Sequence, residues 1–281
     1  MRELGQLLGV TERSIETVSY PDTVIYAGQS ARRKAFLDDV FPDVPTLSFS
    51  VDPEPTTSDL EVILEDKLIK GIHYLASLDG QIISNKTLII AADTRTIVPL
   101  IRDGLQRESL GKPHQEDDVL DIFRQMSESA DITGESPYYE VASISGSVST
   151  EKRSLYTGRS KTRITLNAET IEALATMGGF QQYLDLFHSF YSSGPYEKEG
   201  MPKQDLTDLS AGLSLPVLLK LGAVEQIDGE GPTNTEALRN SFFTVAVGIQ
   251  PDVVRPFNQN VLSMFSEWEW FNKVIIGLNN E

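Results

Sequence analysis

The sequence predicts an α/β fold, on three observations. Two compact apolar runs, Thr23 to Ala27 (TVIYA) and Thr87 to Ala92 (TLIIAA), have the length and β-branched content of buried strands, and each stops at a polar loop. Between and after them lie segments whose apolar residues recur every three to four positions, the helical period. Composition allows a large core: of 281 residues 40% are hydrophobic and 23% charged, ordinary globular values that exclude a disordered or collagen-like chain.

Taken in order, Met1 to Ser19 reads as a short amphipathic helix, with Leu4, Leu7, Leu8 and Ile15 on one side and Thr11 as an N-cap. The strand Thr23 to Ala27 leads through Gly28, Gln29 and Ser30 into a helix over Arg32 to Val40. Pro45 to Val51 alternates as a strand and ends in the acidic loop Asp52, Pro53, Glu54, Pro55. Ser58 to Leu78 reads as a helix capped by Ser58 or Asp59, with Leu60, Ile63, Leu64, Leu68, Ile72 and Leu75 at helical spacing. The strand Thr87 to Ala92 is expected to stop at Asp93, and an acid at the end of a buried strand is a common place for α/β chemistry. Arg102 to Leu110 reads as a polar loop leading to Gly111, Lys112 and Pro113.

Glu116 to Ser127 is expected as a helix, and Tyr138 to Val148 with Arg153 to Leu166 as two neighbouring antiparallel strands. Asn167 followed by Thr170 is a capping signature for a helix to Ala175. Phe180 to Tyr191 and Leu209 to Leu221, the latter with an internal Pro, complete the expected helices. Asp228 to Thr235 carries Gly and Pro and marks a boundary, so that 1–20 is an extension, 21–228 the main domain and 229–281 a C-terminal extension. There the aromatic set Trp268, Trp270 and Phe271 admits three readings, cover for the chain's own core, a docking face for a partner helix or the contact of a homodimer.

Lys+Arg 24 against Asp+Glu 41 gives a net charge of −17, which argues against a nucleic-acid polymer as partner. A small anionic ligand needs only a local cluster of positive charge. With no cysteine there is no disulfide and no thiolate site, and His73, His114 and His188 lack metal-ligand spacing. No long apolar run marks a membrane span or signal peptide, so the expectation is a soluble, cytoplasmic protein.

Three local patterns carry chemistry. In Ala27 to Leu37 (AGQSARRKAFL) a glycine after a strand, the hydroxyl of Ser30 and the cations Arg32, Arg33 and Lys34 meet a helix start, a combination suited to a triphosphate. In Ile89 to Thr94 (IIAADT) the carboxylate of Asp93 is placed to hold a divalent cation or orient a water. In Leu110 to Pro113 (LGKP) Lys112 is offered as a point charge.

In this order the patterns resemble the Maf family of nucleoside triphosphate pyrophosphatases. Ala27, Ser30, Arg32 and Arg33 match its Ser- and Arg-rich loop, Glu54 its acidic segment, Lys70 with Gly71 its helical Lys before a small residue, Ala92, Asp93 and Thr94 its A-D-T, and Leu110 to Pro113 its L-G-K-P. The match runs from about Thr23 to Ile227. Gly28 replaces the usual first Ser of the loop and Ala31 its Pro. The interval from Asp93 to Lys112 is longer than usual, and the family's glutamine-bearing segment is met only by Gly179, Phe180 and Gln181.

The resemblance implies a mixed, elongated sheet flanked by helices, two lobes with a central cleft, and hydrolysis between the α and β phosphates of a nucleoside triphosphate. It implies Asp93, Lys112 and Lys70 as catalytic residues. Ser30, Arg32, Arg33, Thr94, Lys67 and Gln181 would bind substrate, and Mg²⁺ or Mn²⁺ would be held by Asp93 and Glu54, with Asp52 as an alternative to Glu54. Lys70 is preferred to Lys67 for the glycine that follows it. Expected substrates are dTTP and UTP or modified nucleotides. A nucleotide-binding protein without turnover, acting in cell division through protein contacts, is the second expectation.

Overall fold

A mixed sheet with helices packed on it confirms the α/β class. The computed structural model describes residues 12–14, 20–51, 59–78, 86–100, 106–110, 113, 115–149, 154–191, 214–227, 249, 251–254 and 257. The strands are β1 (Glu12–Ser14), β2 (Thr23–Ala27), β3 (Thr46–Phe49), β4 (Thr87–Leu100), β5 (Gln106–Leu110), β6 (Tyr138–Ser149), β7 (Ser154–Leu166) and β8 (Val224–Ile227). The helices are α1 (Ala31–Val40), α2 (Leu60–Ser77), α3 (Glu116–Thr133), α4 (Ala168–Leu174), α5 (Met177–Tyr191), α6 (Leu215–Lys220) and α7 (Pro251–Val254). Strands run in the order β1-β7-β6-β4-β2-β3, with β5 beside β4 and β8 beside β7.

The chain divides into two compact units, residues 1–93, 142–161 and 247–261 in one and 94–141, 162–246 and 262–281 in the other. In the first, β2 pairs in parallel with both β3 and β4, with Val24 opposite Thr46 and Ile25 opposite Ile89. Parallel neighbours need a crossover, and α1 and α2 supply the two. Every residue of β2 is buried. Alternation then assigns the faces: Ile25, Ala27, Ile89 and Ala91 pack with Leu60, Leu64, Leu68 and Ile72 of α2 in one apolar cluster, while Tyr26 points to the other face.

In the second unit α3 and α5 meet through aromatic rings, with Phe123 and Tyr183 edge to face at 5.1 Å between centroids. Helix α3 ends at Gly134, whose φ of 68° is the left-handed conformation that glycine adopts without strain. Asn167 caps α4 by accepting a hydrogen bond from the Thr170 amide at 2.9 Å, as the sequence predicts. Burial raises the phenol pKa of both Tyr139 and Tyr183, and at Tyr183 the neighbouring Tyr139 adds to the rise. β6 and β7 are sheet neighbours joined through residues 150–153, too short a link for a parallel crossover.

Several expectations are corrected. The helix expected over Met1 to Ser19 lies mostly outside the described residues, and at Glu12–Ser14 the chain is a strand, its backbone paired in parallel with Leu155 to Thr157. β4 does not stop at Asp93 but continues to Leu100, because Thr96 to Leu100 find new backbone partners in β5. β5 itself stands where a polar loop was expected. Helix α3 runs on past Ser127 to Thr133. β8, which the sequence reading missed, is held by its antiparallel pairing with β7. Pro216 lies in the first turn of α6, where its missing amide costs nothing; residues 209–213 of the expected helix are outside the described set. The aromatic set at 268–271 also lies outside it. Among the described residues no helix is long and apolar enough to cross a membrane.

Candidate functional site

The first unit gathers three of the expected site residues around the place where β2 ends and β4 goes on. β2 pairs with β4 as far as Tyr26 opposite Ile90, and β5 joins β4 only at Thr96. Asp93 lies between these two pairings. Asp93 is therefore not at a strand end as expected but inside β4, where the strand changes partner beyond the end of β2.

The side of the sheet that Asp93 faces follows from period two: Ile89, Ala91 and Asp93 alternate onto the face covered by α2. On α2 the buried positions are Leu60, Ile63, Leu64, Lys67, Leu68, Gly71, Ile72 and Leu75, so Lys67 belongs to the apolar stripe. Its Nζ lies 3.1 Å from Oδ2 of Asp93, with the two side chains 5% and 7% exposed. Charges so placed are screened little by solvent, and each would be costly to bury without the other. Lys70, one position off that stripe, takes a different course: its Nζ donates to the Val51 carbonyl at 2.9 Å and pairs with Asp66 at 2.7 Å. Lys67, and not the preferred Lys70, meets Asp93.

On the opposite face, Ser30 is the N-cap of α1, with backbone angles of −65° and 109° and its side chain accepting from the Arg33 amide at 3.5 Å. The first turn of the helix is set by that cap and by the Lys34 amide donating to the Ser30 carbonyl at 3.0 Å. Arg33 then turns inward. It is 9% exposed, and its Nη1 donates to the Ala92 carbonyl at 2.9 Å and lies 3.5 Å from the Tyr26 hydroxyl. Lys34 pairs with Asp38 one turn along at 2.7 Å, half-exposed.

Arg33 and Lys67 therefore approach consecutive residues of β4 from its two faces, Arg33 at the carbonyl of residue 92 and Lys67 at the carboxylate of residue 93. Thr94 follows in β4, half-buried. Gln181 is in the second unit, exposed on α5, where its amide donates to Asp185 at 2.9 Å. Glu54, Asp52, Lys112 and the side chain of Arg32 lie outside the described residues, as does His114. His73 and His188 are exposed on α2 and α5. Tyr26 was not among the expected site residues; its signal is a tyrosine two positions before a glycine at the end of a buried strand.

A divalent cation finds a partial setting in the described residues. Asp93 is the one expected ligand among them, and an ammonium already lies against it. No described group of three or more His, Asp or Glu residues is arranged to hold a metal ion. The described residues alone do not make a cation site. The chemistry this arrangement offers is instead that of a carboxylate and two cationic groups fixed along one strand: oriented positive charge for an anionic ligand and a carboxylate able to accept a proton. A scan of protein-family models and a search of curated proteins found no match to this chain.

Proposed function

We propose that the chain is a nucleoside triphosphate pyrophosphatase of the Maf type. The observation that carries the reading is the convergence of Arg33 and Lys67 on residues 92 and 93 of β4, beside the loop where Ser30 caps α1. The ordered sequence patterns around these residues support it. The Maf-like form of the fold, with two lobes and a cleft, belongs to the same proposal, as do action on a small nucleotide in the cytoplasm and a homodimeric state.

In this reading the triphosphate draws Lys67 toward its own charge and leaves the Asp93 carboxylate to take a proton from water. The water oxygen bonds to the α phosphorus, the bridging oxygen to the β phosphorus leaves with pyrophosphate, and the monophosphate remains. Arg33 and Lys67 oppose the negative charge that spreads over the transferred group. Mg²⁺ or Mn²⁺ enters with the triphosphate as part of the substrate.

The test is pyrophosphate release over a panel of standard and modified nucleoside triphosphates, with and without Mg²⁺ or Mn²⁺, for the wild type and Asp93→Asn. We expect turnover in the wild type and a loss of about a hundredfold or more in the variant, as for removal of a positioned base. Equal rates, or none in either protein, would sink the assignment. A second reading, nucleotide binding without turnover and action through protein contacts, is favoured by one observation: the carboxylate meant for chemistry is held by an ammonium. Calorimetric binding of a nucleotide with no pyrophosphate released would select it.

A further inference from the structure

The loop between β2 and α1 contains a coupling between two residues. Tyr26 is 1% exposed and points to the α1 face. The chain turns at Ala27, and the phenol leans over residue 28. A Cβ at Gly28 would lie 2.7 Å from both Cζ and the hydroxyl oxygen of Tyr26 and 3.2 Å from Cε1. Contacts below 3.0 Å are essentially never made by real Cβ atoms, so a side chain at 28 would require the buried tip of the Tyr26 ring to shift from its place. The chain is held in this form at close range, with the Gly28 amide donating to the Tyr26 carbonyl at 3.0 Å and Gly28 bridging to Phe49 of β3.

The ring brings its hydroxyl forward to Arg33. Nη1 of Arg33 stands 3.5 Å from that oxygen and 2.9 Å from the Ala92 carbonyl, so this nitrogen meets one group from β2 and one from β4. An arginine side chain has several rotatable bonds, and acceptors fixed on different strands hold Nη1 more narrowly than either does by itself.

We infer that Tyr26 is the positioning residue of Arg33, and that Gly28 is glycine because the tyrosine hydroxyl occupies the place of a side chain there. The inference deepens the proposed function and rests on its placing of the phosphate site at Arg33. The hydroxyl of this loop is thus supplied by residue 26, and moving it to residue 28 while removing the phenol should restore what either change alone destroys.

The experiment uses the full chain and inorganic tripolyphosphate, which probes the phosphate subsite without a base. Binding is measured by calorimetry for the wild type, Tyr26→Phe, Gly28→Ser, Tyr26→Leu and the double variant Gly28→Ser/Tyr26→Leu, and urea midpoints are measured for all five. We expect Tyr26→Phe to weaken binding about tenfold, the loss of one hydrogen bond to a charged group, with little change in midpoint. Gly28→Ser and Tyr26→Leu should each weaken it by about as much or more, and the double variant should return to within about threefold of the wild type. Wild-type binding by Tyr26→Phe, or a double variant no better than its parents, would overturn the inference. If the wild type binds no tripolyphosphate, the phosphate site is at fault, and the coupling is still decided by the midpoints: additive effects of Gly28→Ser and Tyr26→Leu would refute it, and a double variant more stable than Gly28→Ser would uphold it.

Discussion

Lys67 and Asp93 show how a single residue's position on its element decides its role. Residues 60, 64, 67, 71 and 75 recur at helical spacing, and four of the five are apolar or glycine, so Lys67 had to be buried if the stripe was. Lys70 lies off that phase, partly exposed beside Asp66. Because both ends of the pair are buried, the energetic test is a cycle. Lys67→Met leaves the Asp93 carboxylate without that ammonium, and Asp93→Leu leaves the ammonium without its carboxylate. Each should cost about 3–5 kcal/mol of unfolding free energy, while the double variant should lie within about 2 kcal/mol of the wild type. Urea denaturation of the four proteins measures this, and additive losses would show that the two charges do not depend on each other.

At the level of the elements, the approach of α2 to the sheet is set at Gly71. A Cβ there would meet Cγ2 of Ile89 at 2.5 Å and the Ala27 Cβ at 3.8 Å, so the helix lies closer to β2 and β4 than any other residue allows. Lys67, one turn earlier on the same face, reaches Asp93 from that close approach. Gly71→Ala gains about 1 kcal/mol of helix propensity but forces a β-branched side chain aside at a cost of about 1–3 kcal/mol. We expect a net loss in the wild type and a net gain in an Ile89→Ala background, where the obstructing methyl is gone; a gain in both, by thermal or urea unfolding, would place the helix farther out. α1, α2 and β7 were legible in the sequence because each buries one face and so carries a period, while β2 was legible as a continuous apolar run, buried on both faces. β5 (QRESL) and β8 (VEQI) were not, since their residues show little alternation and the strands persist through pairing to β4 and β7. The continuation of β4 through Arg95 and Pro99 was hidden for the same reason. At the site, Asp93 and the inward basic turn could be read directly, whereas the Tyr26–Gly28 contact depends on how a ring leans and has no signature in composition.

For the whole molecule, the net charge of −17 and the local cations pull a nucleotide in opposite directions, and distance decides between them. Of the cations expected at the site, Lys34, Lys67 and Lys70 each stand against a carboxylate, Asp38, Asp93 and Asp66, so the described part of the site has far less surplus positive charge than the sequence count suggests. Arg33 also donates to the backbone carbonyl of Ala92. At about 0.1 M salt the screening length is about 10 Å, so acidic residues elsewhere on the surface are largely masked and contacts made by Arg33 and a released Lys67 dominate. Raising salt to about 1 M shortens that length to about 3 Å and weakens even near contacts in proportion to their exposure. Triphosphate binding at fixed free metal should therefore weaken by about threefold to tenfold over this range, less than for an exposed cluster of lysines, because Arg33 and Lys67 are buried. Arg33→Gln should flatten the dependence as well as lower the affinity. Calorimetry at the two salt concentrations measures both effects, and binding that tightens with salt would mean that repulsion from the acidic body outweighs the site.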